Sequence, residues 1–437
     1  MKSLEFNFSD SKIPKKEIDK LEIKLKKEIE QMKIALSKGY DDSRASINLL
    51  DDKENLQRIK NCIKEKSDLN PKFLIVVGIG GSNLGTVAIQ EAVLGKLYNQ
   101  TNPELKILYA DTVDTDLISN IISIIEPFLK KGESIIINGV SKSGGTTETI
   151  ANFEVLVDFL KKYNKNYQKY VVITTDKDSK FWNFAEKQGF NVLEVPKKVG
   201  GRFSVFSSVG LFPLGLLGID IDLLLEGAKS IREKCLDQKI KDNPAAMIAS
   251  LIYQHKINGK SIHDLFLFST DLESLGKWYR QLMGESLGKE FNMQNQRILE
   301  GITPTVSIGS TDLHSMAQLY LAGPYDKFTT FVKVESNNNS VNMPNNPEYS
   351  ELVKAIQSKP MEKIMNAILT GVQQAFRKKD RPFIEIILPD KSVYSLGQFM
   401  QLKEMEIIYL GYLLDINPFN QPNVEDYKIE TKKILND

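Results

Sequence analysis

One short segment of the chain concentrates residue types that bind phosphate esters. The heptapeptide SKSGGTT, residues 141–147, follows the apolar run SIIINGV at residues 134–140. Glycines let the backbone approach an anion closely, and serine and threonine hydroxyls are neutral hydrogen-bond donors. The amides at the start of a following helix would point at the same ligand. The segment therefore predicts a phosphate site, with an ordinary turn as the structural alternative.

A second glycine-rich turn has a less specific pattern. Residues 78–85, GIGGSNLG, follow the apolar run FLIVV at residues 73–77. Their glycine spacing differs from the dinucleotide-binding fingerprint, and no ribose-binding acid falls clearly at the end of the next predicted strand. This pattern disfavours a nicotinamide-dependent oxidoreductase. It leaves an anion-binding turn or plain turn geometry.

Two charged residues beside glycines could perform acid–base or electrostatic chemistry. Glu285 is flanked by two glycines in the otherwise apolar stretch QLMGESLGK, residues 281–289, where a substrate could come close to a carboxylate. Arg202 follows two glycines in VGGRFS, residues 199–204, where a fixed guanidinium could face a ligand. The structural alternatives are a surface helix end for the first segment and a solvated turn for the second.

The chain contains three histidines, and their contexts differ. His314 follows VSIGS in STDLHS, at a predicted strand-to-helix turn, which favours a functional role. His255 lies in a polar helical stretch and His263 opens a predicted strand. We interpret these two as structural.

Apolar runs that alternate with helical stretches must position these residues. A first series of candidate strands is FLIVV from Phe73, LKILYADT from Leu105, SIIINGV from Ser134, KYVVITTD from Lys169 and FNVLEVP from Phe190. A second series is IHDLFLFS from Ile262, TPTVSIG from Thr303, KFTTFVKVE from Lys327 and RPFIEIILP from Arg381. Short buried strands between helices are typical of α/β domains with mainly parallel sheets, whose ligands bind at the carboxyl ends of the strands.

The remaining segments complete a two-domain organisation. Apolar residues at spacings of three and four predict a helix over residues 14–38, the run 205–225 is interpreted as a buried helix, and a long helix is predicted from about Ser395 to Leu414. The polar stretch 336–347 is a predicted loop. We predict an N-terminal helical extension, two α/β domains, the second with connecting helices, and a C-terminal segment, at residues 1–64, 65–225, 226–418 and 419–437.

Composition restricts the class of protein. The 57 basic and 56 acidic residues give a net charge of +1, whereas a nucleic-acid-binding protein usually has a basic excess. The two cysteines, Cys62 and Cys235, form no metal-binding or disulfide pattern, so we expect free thiols. The N-terminal residues show no signal-peptide pattern. We therefore expect a cytoplasmic protein without a metal site and without nucleic-acid or membrane partners.

Six motifs, in order, resemble the glucose-6-phosphate isomerase family, in its compact bacterial form. They are GIGGSNLG, SKSGGTTET, GGRFSVFS, GESLGK, TDLHS and NPFNQPNVEDYK, which together span the chain after residue 70. The resemblance implies two sugar-isomerase (SIS) domains of three α/β/α layers. It also implies the interconversion of glucose 6-phosphate and fructose 6-phosphate, without a cofactor, by a homodimer.

The resemblance also implies roles for individual residues. Glu285 matches the catalytic base, Arg202 the arginine near the reacting carbons, and His314 the ring-opening histidine, which in the family comes from the neighbouring subunit. Lys428 is the fourth implied catalytic residue and matches, with Gln421, the C-terminal pair that closes over the substrate. The other implied substrate-binding residues are Gly81, Ser82, Ser141, the Lys142 amide, Ser143, Thr146 and Gln281.

Three alternative functions compete with this interpretation. A non-catalytic SIS protein that senses sugar phosphates would need the phosphate turns but not Glu285, His314 and Lys428 together. An aldose–ketose isomerase that acts on mannose 6-phosphate would share most of the site. A nicotinamide-dependent oxidoreductase is disfavoured by the glycine spacing of residues 78–85.

Overall fold

A computed structural model of the protein describes residues 2–436. Its strands are β1 (Glu5–Asn7), β2 (Phe73–Val77), β3 (Lys106–Ala110), β4 (Ile135–Val140), β5 (Val171–Asp176), β6 (Asn191–Val195), β7 (Ile262–Leu267), β8 (Lys289–Phe291), β9 (Arg297–Glu300), β10 (Thr303–Ile308), β11 (Lys327–Val334) and β12 (Phe383–Leu388). Its helices are α1 (Lys15–Leu36), α2 (Lys53–Ser67), α3 (Leu84–Leu94), α4 (Thr115–Lys130), α5 (Thr147–Lys161), α6 (Lys180–Gln188), α7 (Ser208–Leu216), α8 (Ile221–Lys234), α9 (Pro244–Ile257), α10 (Glu273–Leu287), α11 (Ala317–Ala322), α12 (Pro347–Ser350), α13 (Met361–Lys378), α14 (Val393–Leu413) and α15 (Val424–Asn436).

The first sheet is fully parallel, with strand order β3-β2-β4-β5-β6. Every residue of β2 and β4 is buried, as expected for central strands covered by helices on both faces. Helix α4 contacts β3, α5 contacts β4 and α6 contacts β5, while α2 and α7 contact β6. The turns after β2 and β4 therefore lie side by side at the carboxyl edge of this sheet.

The second sheet has the order β1-β12-β11-β7-β10 and is parallel except for its edge strand β1. The four strands predicted for this sheet all form, so the expected mainly parallel α/β fold class is confirmed. The sequence analysis did not predict β1, because three residues are too few to show an alternating pattern. Pairing of Phe6 with Ile386 holds this strand in place.

The apolar run 205–225 forms parts of two buried helices instead of the single predicted one. Helix α7 ends at Leu216, Gly218 has a φ of +82°, and the Asp220 side chain caps the start of α8. Within residues 2–436, no helix combines the length and apolarity needed to cross a membrane.

Helix α14 lies at the centre of the molecule and packs against α8, α9, α10 and α1. Nearly all of its residues are buried, and its bounds agree with the long helix predicted from about Ser395 to Leu414. The loop predicted at 336–347 and the C-terminal helix are also present. Helix α10 begins after β7 of the second sheet and runs to the turns of the first sheet, so it links the two sheets at the candidate site.

Candidate active site

The turn after β4 is a compact loop of hydroxyl and glycine residues. The Ser141 hydroxyl lies 3.0 Å from the Thr146 hydroxyl, and the Gly144 amide donates a hydrogen bond to the Ser141 carbonyl at 3.1 Å. Thr175 on the next strand donates its hydroxyl hydrogen to that same carbonyl at 2.6 Å. Helix α5 begins at Thr147, so its first amides face the turn. Hydroxyls and amides together form a donor set that suits a phosphate ester.

Gly144 is required by the shape of this turn. Its φ is +68°, a conformation that side chains rarely adopt, and a Cβ atom would lie 2.8 Å from the Phe181 amide nitrogen. Ser143 is exposed at the tip of the turn. Lys142, next to it, is half-buried.

Lys142 and Asp176 form a loose ion pair beneath the turn. The Lys142 ammonium lies 3.9 Å from the Asp176 carboxylate, whose other oxygen is buried and has no hydrogen-bond partner among the described residues. Burial raises the pKa of Asp176 to about 6, and the opposing charges of Lys142 and Lys197 only partly offset it.

Arg202 organises a second cluster. Its Nε donates a hydrogen bond to the Ser286 hydroxyl at 2.7 Å. One terminal nitrogen donates to the Glu285 carboxylate at 3.3 Å and to the Gln421 side-chain oxygen at 2.9 Å. The other terminal nitrogen donates to the Pro418 carbonyl at 2.5 Å. The side chain is 1% exposed. Burial lowers the pKa of Arg202 to about 10, while the Glu285 charge raises it, so the guanidinium stays charged at neutral pH.

Glu285 is held from both sides at the carboxyl end of α10. Its Oε2 accepts the hydrogen bond from Arg202, and its Oε1 accepts one from Gln281 Nε2 at 3.1 Å, one helical turn earlier. The Glu285 side chain remains 35% exposed. Two donors thus fix the direction of a carboxylate that a ligand can still reach.

The glycine turn after β2 lies between the two clusters. Gly81 packs directly on the 201–202 backbone, because a Cβ atom there would lie 2.2 Å from the Gly201 carbonyl carbon. Gly78 at the other end approaches Val140, the residue before the hydroxyl turn. Ser82 is half-buried at the end of the short helical turn Gly80–Ser82. The hydroxyl turn after β4 and the Arg202–Glu285 cluster therefore lie on the two sides of this glycine turn.

Two predicted site residues lie outside these clusters. His314 is exposed after β10, and its side chain makes no hydrogen bond within residues 2–436. Lys428 lies on α15, where its ammonium pairs with Glu425 at 2.7 Å. The other two histidines are buried, as their structural interpretation requires: His255 contacts the Ser11 carbonyl and His263 the Thr330 hydroxyl.

Sequence reasoning missed three features of the site. It assigned no role to Ser286 or Lys289, although both belong to the GESLGK motif, and it did not anticipate that carbonyls near Pro418 would bind Arg202. Motif position could have drawn attention to the first two. In the described part of the chain, no group of three or more His, Cys, Asp or Glu side chains is arranged to hold a metal ion.

The protein has an α/β fold of two mainly parallel sheets, and solved sugar-phosphate isomerases share this fold. Its fold is also that of a tagatose-6-phosphate ketose/aldose isomerase from Escherichia coli, which matches with a TM-score of 0.50 at 12% identity, over 87% of this chain and 92% of that one. A glucose-6-phosphate isomerase from Chlamydia trachomatis matches with a TM-score of 0.84 at 19% identity, over 99% of this chain and 88% of that one. These likenesses establish the fold.

Sequence comparison gives the family. The phosphoglucose isomerase family model matches residues 53–437. A glucose-6-phosphate isomerase from Carboxydothermus hydrogenoformans is 34% identical, over 83% of this chain and 79% of the relative, and one from Thermus thermophilus is 32% identical over 89% of each. The chain belongs to the phosphoglucose isomerase family.

Proposed function

We propose that this protein catalyses the reversible isomerisation of glucose 6-phosphate and fructose 6-phosphate. The observation that carries the proposal is the carboxylate of Glu285, fixed by Arg202 and Gln281 beside a glycine turn that also contacts the hydroxyl-rich phosphate turn. Two relatives named glucose-6-phosphate isomerase support the choice of substrate. The reaction would serve glycolysis and gluconeogenesis in the cytoplasm.

The phosphate turn would anchor the substrate. Ser141, Ser143 and Thr146 would donate to the phosphate together with the Lys142 amide, while Gly81 and Ser82 would line the sugar. Binding energy from this remote group holds the reacting carbons in place, which lowers the entropic part of the barrier.

Glu285 would then act as the base. It takes the proton from C2 of the open-chain aldose, which gives a cis-enediol, and returns it to C1, while a hydroxyl proton moves from O2 to O1. A general base supplies about 10²–10⁴-fold of acceleration, so further stabilisation is needed. Arg202 would stabilise the negative charge of the enediolate, with Gln421 as a neutral donor.

Ring opening and assembly complete the proposal. His314 and Lys428 would move a proton between the ring oxygen and the anomeric hydroxyl. Because His314 is exposed and outside the Glu285 cluster, we propose a homodimer in which each site takes this histidine from the partner. Lys428 and Gln421 would close over the substrate on the C-terminal segment.

A coupled assay tests the function directly. Purified protein with fructose 6-phosphate and EDTA should form glucose 6-phosphate, which a glucose-6-phosphate dehydrogenase detects. No turnover would refute the proposed reaction, and loss of activity only when EDTA is present would refute a mechanism without a metal. The same assay with mannose 6-phosphate measures the alternative substrate.

The variant Glu285→Gln tests the base. We expect kcat to fall by about 10²–10⁴-fold with little change in KM, because the carboxylate acts in the transition state. The matched control is Glu273→Gln in the first turn of the same helix, where the carboxylate pairs with Lys277 at 2.9 Å. Equal kcat values for the two variants would remove Glu285 from the mechanism.

A further inference from the structure

A buried lysine lies beside the Glu285 helix without a role in the mechanism above. Lys289 is the first residue of β8, and only 7% of its surface is exposed. Lysine is rarely buried this far unless it has a partner, because its ammonium loses its hydration. The contacts of this side chain therefore call for an explanation.

Its ammonium caps the helix that carries the proposed base. Lys289 Nζ donates a hydrogen bond to the backbone carbonyl of Glu285 at 2.6 Å. The last four carbonyls of an α-helix have no partner within the helix. The Gly288 amide satisfies the Gly284 carbonyl at 3.0 Å, and Lys289 satisfies the next one. The backbone that orients the Glu285 side chain is thus fixed by this lysine.

The charge of Lys289 also acts on the cluster. A helix carboxyl end carries partial negative charge, so a carboxylate there is disfavoured unless cations lie nearby. Burial lowers the pKa of Lys289 to about 8, Arg202 lowers it further by repulsion, and Glu285 raises it. The two cations and the carboxylate therefore belong to one electrostatic group.

Other charges around Lys289 are already paired. Glu300, its partner across the β8–β9 hairpin, binds Lys256 at 2.9 Å, and the neighbouring Glu290 binds Arg297 at 2.9 Å. With Glu285 ionised, the buried group consists of two cations and one carboxylate. It has a formal charge of +1 before any substrate binds.

We propose that Lys289 is a positioning residue of the isomerase, which fixes the last turn of the Glu285 helix and supplies a second buried positive charge that stabilises the enediolate. This inference rests on the proposed function. Lys289 acts through Glu285 and Arg202. When Glu285 accepts the substrate proton and becomes neutral, the two remaining cations face the new negative charge.

Two substitutions separate charge from shape. Lys289→Met keeps most of the buried chain but removes the ammonium, and Lys289→Arg keeps the positive charge. We expect Lys289→Met to lower kcat by about 10–100-fold and to change KM little, because the charge is needed in the transition state. Lys66→Met is the matched control, since Lys66 is fully buried and donates to the Lys169 carbonyl at 2.7 Å, away from the site.

The pH profile of kcat is a readout that a purely structural lysine would not move. In the wild type, kcat should fall as pH rises through about 8, where Lys289 loses its proton. Lys289→Arg should shift this fall to higher pH, and Lys289→Met should abolish it. An unchanged profile in Lys289→Arg, or a kcat of Lys289→Met within twofold of the wild type, would overturn the inference. If Lys289→Met does not fold, the pH profile of kcat for Lys289→Arg alone tests the inference.

A binding measurement distinguishes this inference from the proposed reaction. D-Arabinonate 5-phosphate has a planar carboxylate where an enediolate would form. D-Arabitol 5-phosphate keeps the phosphate but has a neutral hydroxymethyl group in place of that carboxylate. By calorimetry, Lys289→Met should lose at least tenfold in affinity for the first compound and less than threefold for the second. Equal losses would overturn the role of Lys289 even in an active enzyme. If the wild type binds both compounds but does not turn over fructose 6-phosphate, the proposed reaction is refuted, whereas the role of Lys289 in binding the carboxylate is not.

Discussion

At the scale of single residues, the site depends on one buried guanidinium. The Arg202 guanidinium contacts α10 and the C-terminal segment at once through donors in fixed directions, and the Arg202 backbone packs against the turn after β2. Burying a charge is costly, and a buried ion pair is weak evidence for stability. We therefore interpret Arg202 as a residue that positions Glu285 and Gln421.

The variant Arg202→Lys should show that geometry matters here. A lysine keeps the charge but cannot reach Ser286, Gln421 and the Pro418 carbonyl simultaneously, so we expect kcat to fall by about 10²–10³-fold. Steady-state kinetics with fructose 6-phosphate measure this. Arg232→Lys, which changes another buried arginine bound to the Ile47 carbonyl, should leave kcat within about threefold. Comparable losses in both variants would indicate a general effect on folding.

At the scale of elements, a turn and a helix end form the site. The turn after β4 presents hydroxyls and amides because a positive φ at one glycine folds it tightly against the start of α6. Helix α10 presents Gln281 and Glu285 on one face, four residues apart. Neither element is sufficient alone, since one would anchor the substrate and the other would act on it.

Two neighbouring glycines test the phosphate turn. Gly144→Ala places a Cβ atom 2.8 Å from the Phe181 amide nitrogen at a φ of +68°, so the turn must distort. We expect kcat/KM for fructose 6-phosphate to fall at least about tenfold. Gly145→Ala meets no atom within 4 Å and should change kcat/KM less than about twofold. Similar values for the two variants would remove the turn from substrate binding.

At the scale of the whole molecule, one predicted catalytic residue lies on the surface and one carboxyl group lies in the core. The exposed position of His314 motivates the proposed dimer, in which a catalytic group crosses the subunit boundary.

The core also contains ionisable groups that respond to pH. Asp264 on β7 is buried and accepts hydrogen bonds from Thr305, Ser307 and Tyr320.

Mixed dimers test the shared site. If His314 acts in the partner's site, a heterodimer of His314→Ala and Glu285→Gln protomers contains one intact site. An equal mixture with random exchange should recover about a quarter of wild-type activity. The measurement is the coupled assay on mixtures whose dimers are verified by differential tagging. Verified heterodimers without activity would argue for a site built within one chain.

The pH dependence of stability tests the burial of Asp264. Burial raises its pKa to about 6, although hydrogen bonds from Thr305 and Ser307 lower it. Between pH 4 and 6 the folded state binds this proton more tightly than the unfolded state, so the contribution of Asp264 is greatest at low pH and is lost as pH rises through 6. Asp264→Asn should therefore stabilise the protein more at pH 8 than at pH 5, by about 1 kcal/mol.

Thermal or urea unfolding at the two pH values measures this difference. Asp158→Asn is the control, since that side chain is 64% exposed and its substitution should have the same effect at both pH values. A larger stabilisation of Asp264→Asn at pH 5 than at pH 8 would have the wrong sign and would contradict a buried neutral carboxyl.

The sequence by itself determined nine strands of the two large sheets, the long helices and the turn after β4, because buried parallel strands and hydroxyl-rich turns depend on residues close in the chain. Its motif order also led to the family. Only the tertiary structure decided that Gln421 meets Arg202 across 219 positions and that residues 5–7 join the second sheet. Such contacts form when whole segments of the chain pack together. They join residues that are far apart in the sequence, so no local pattern predicts them.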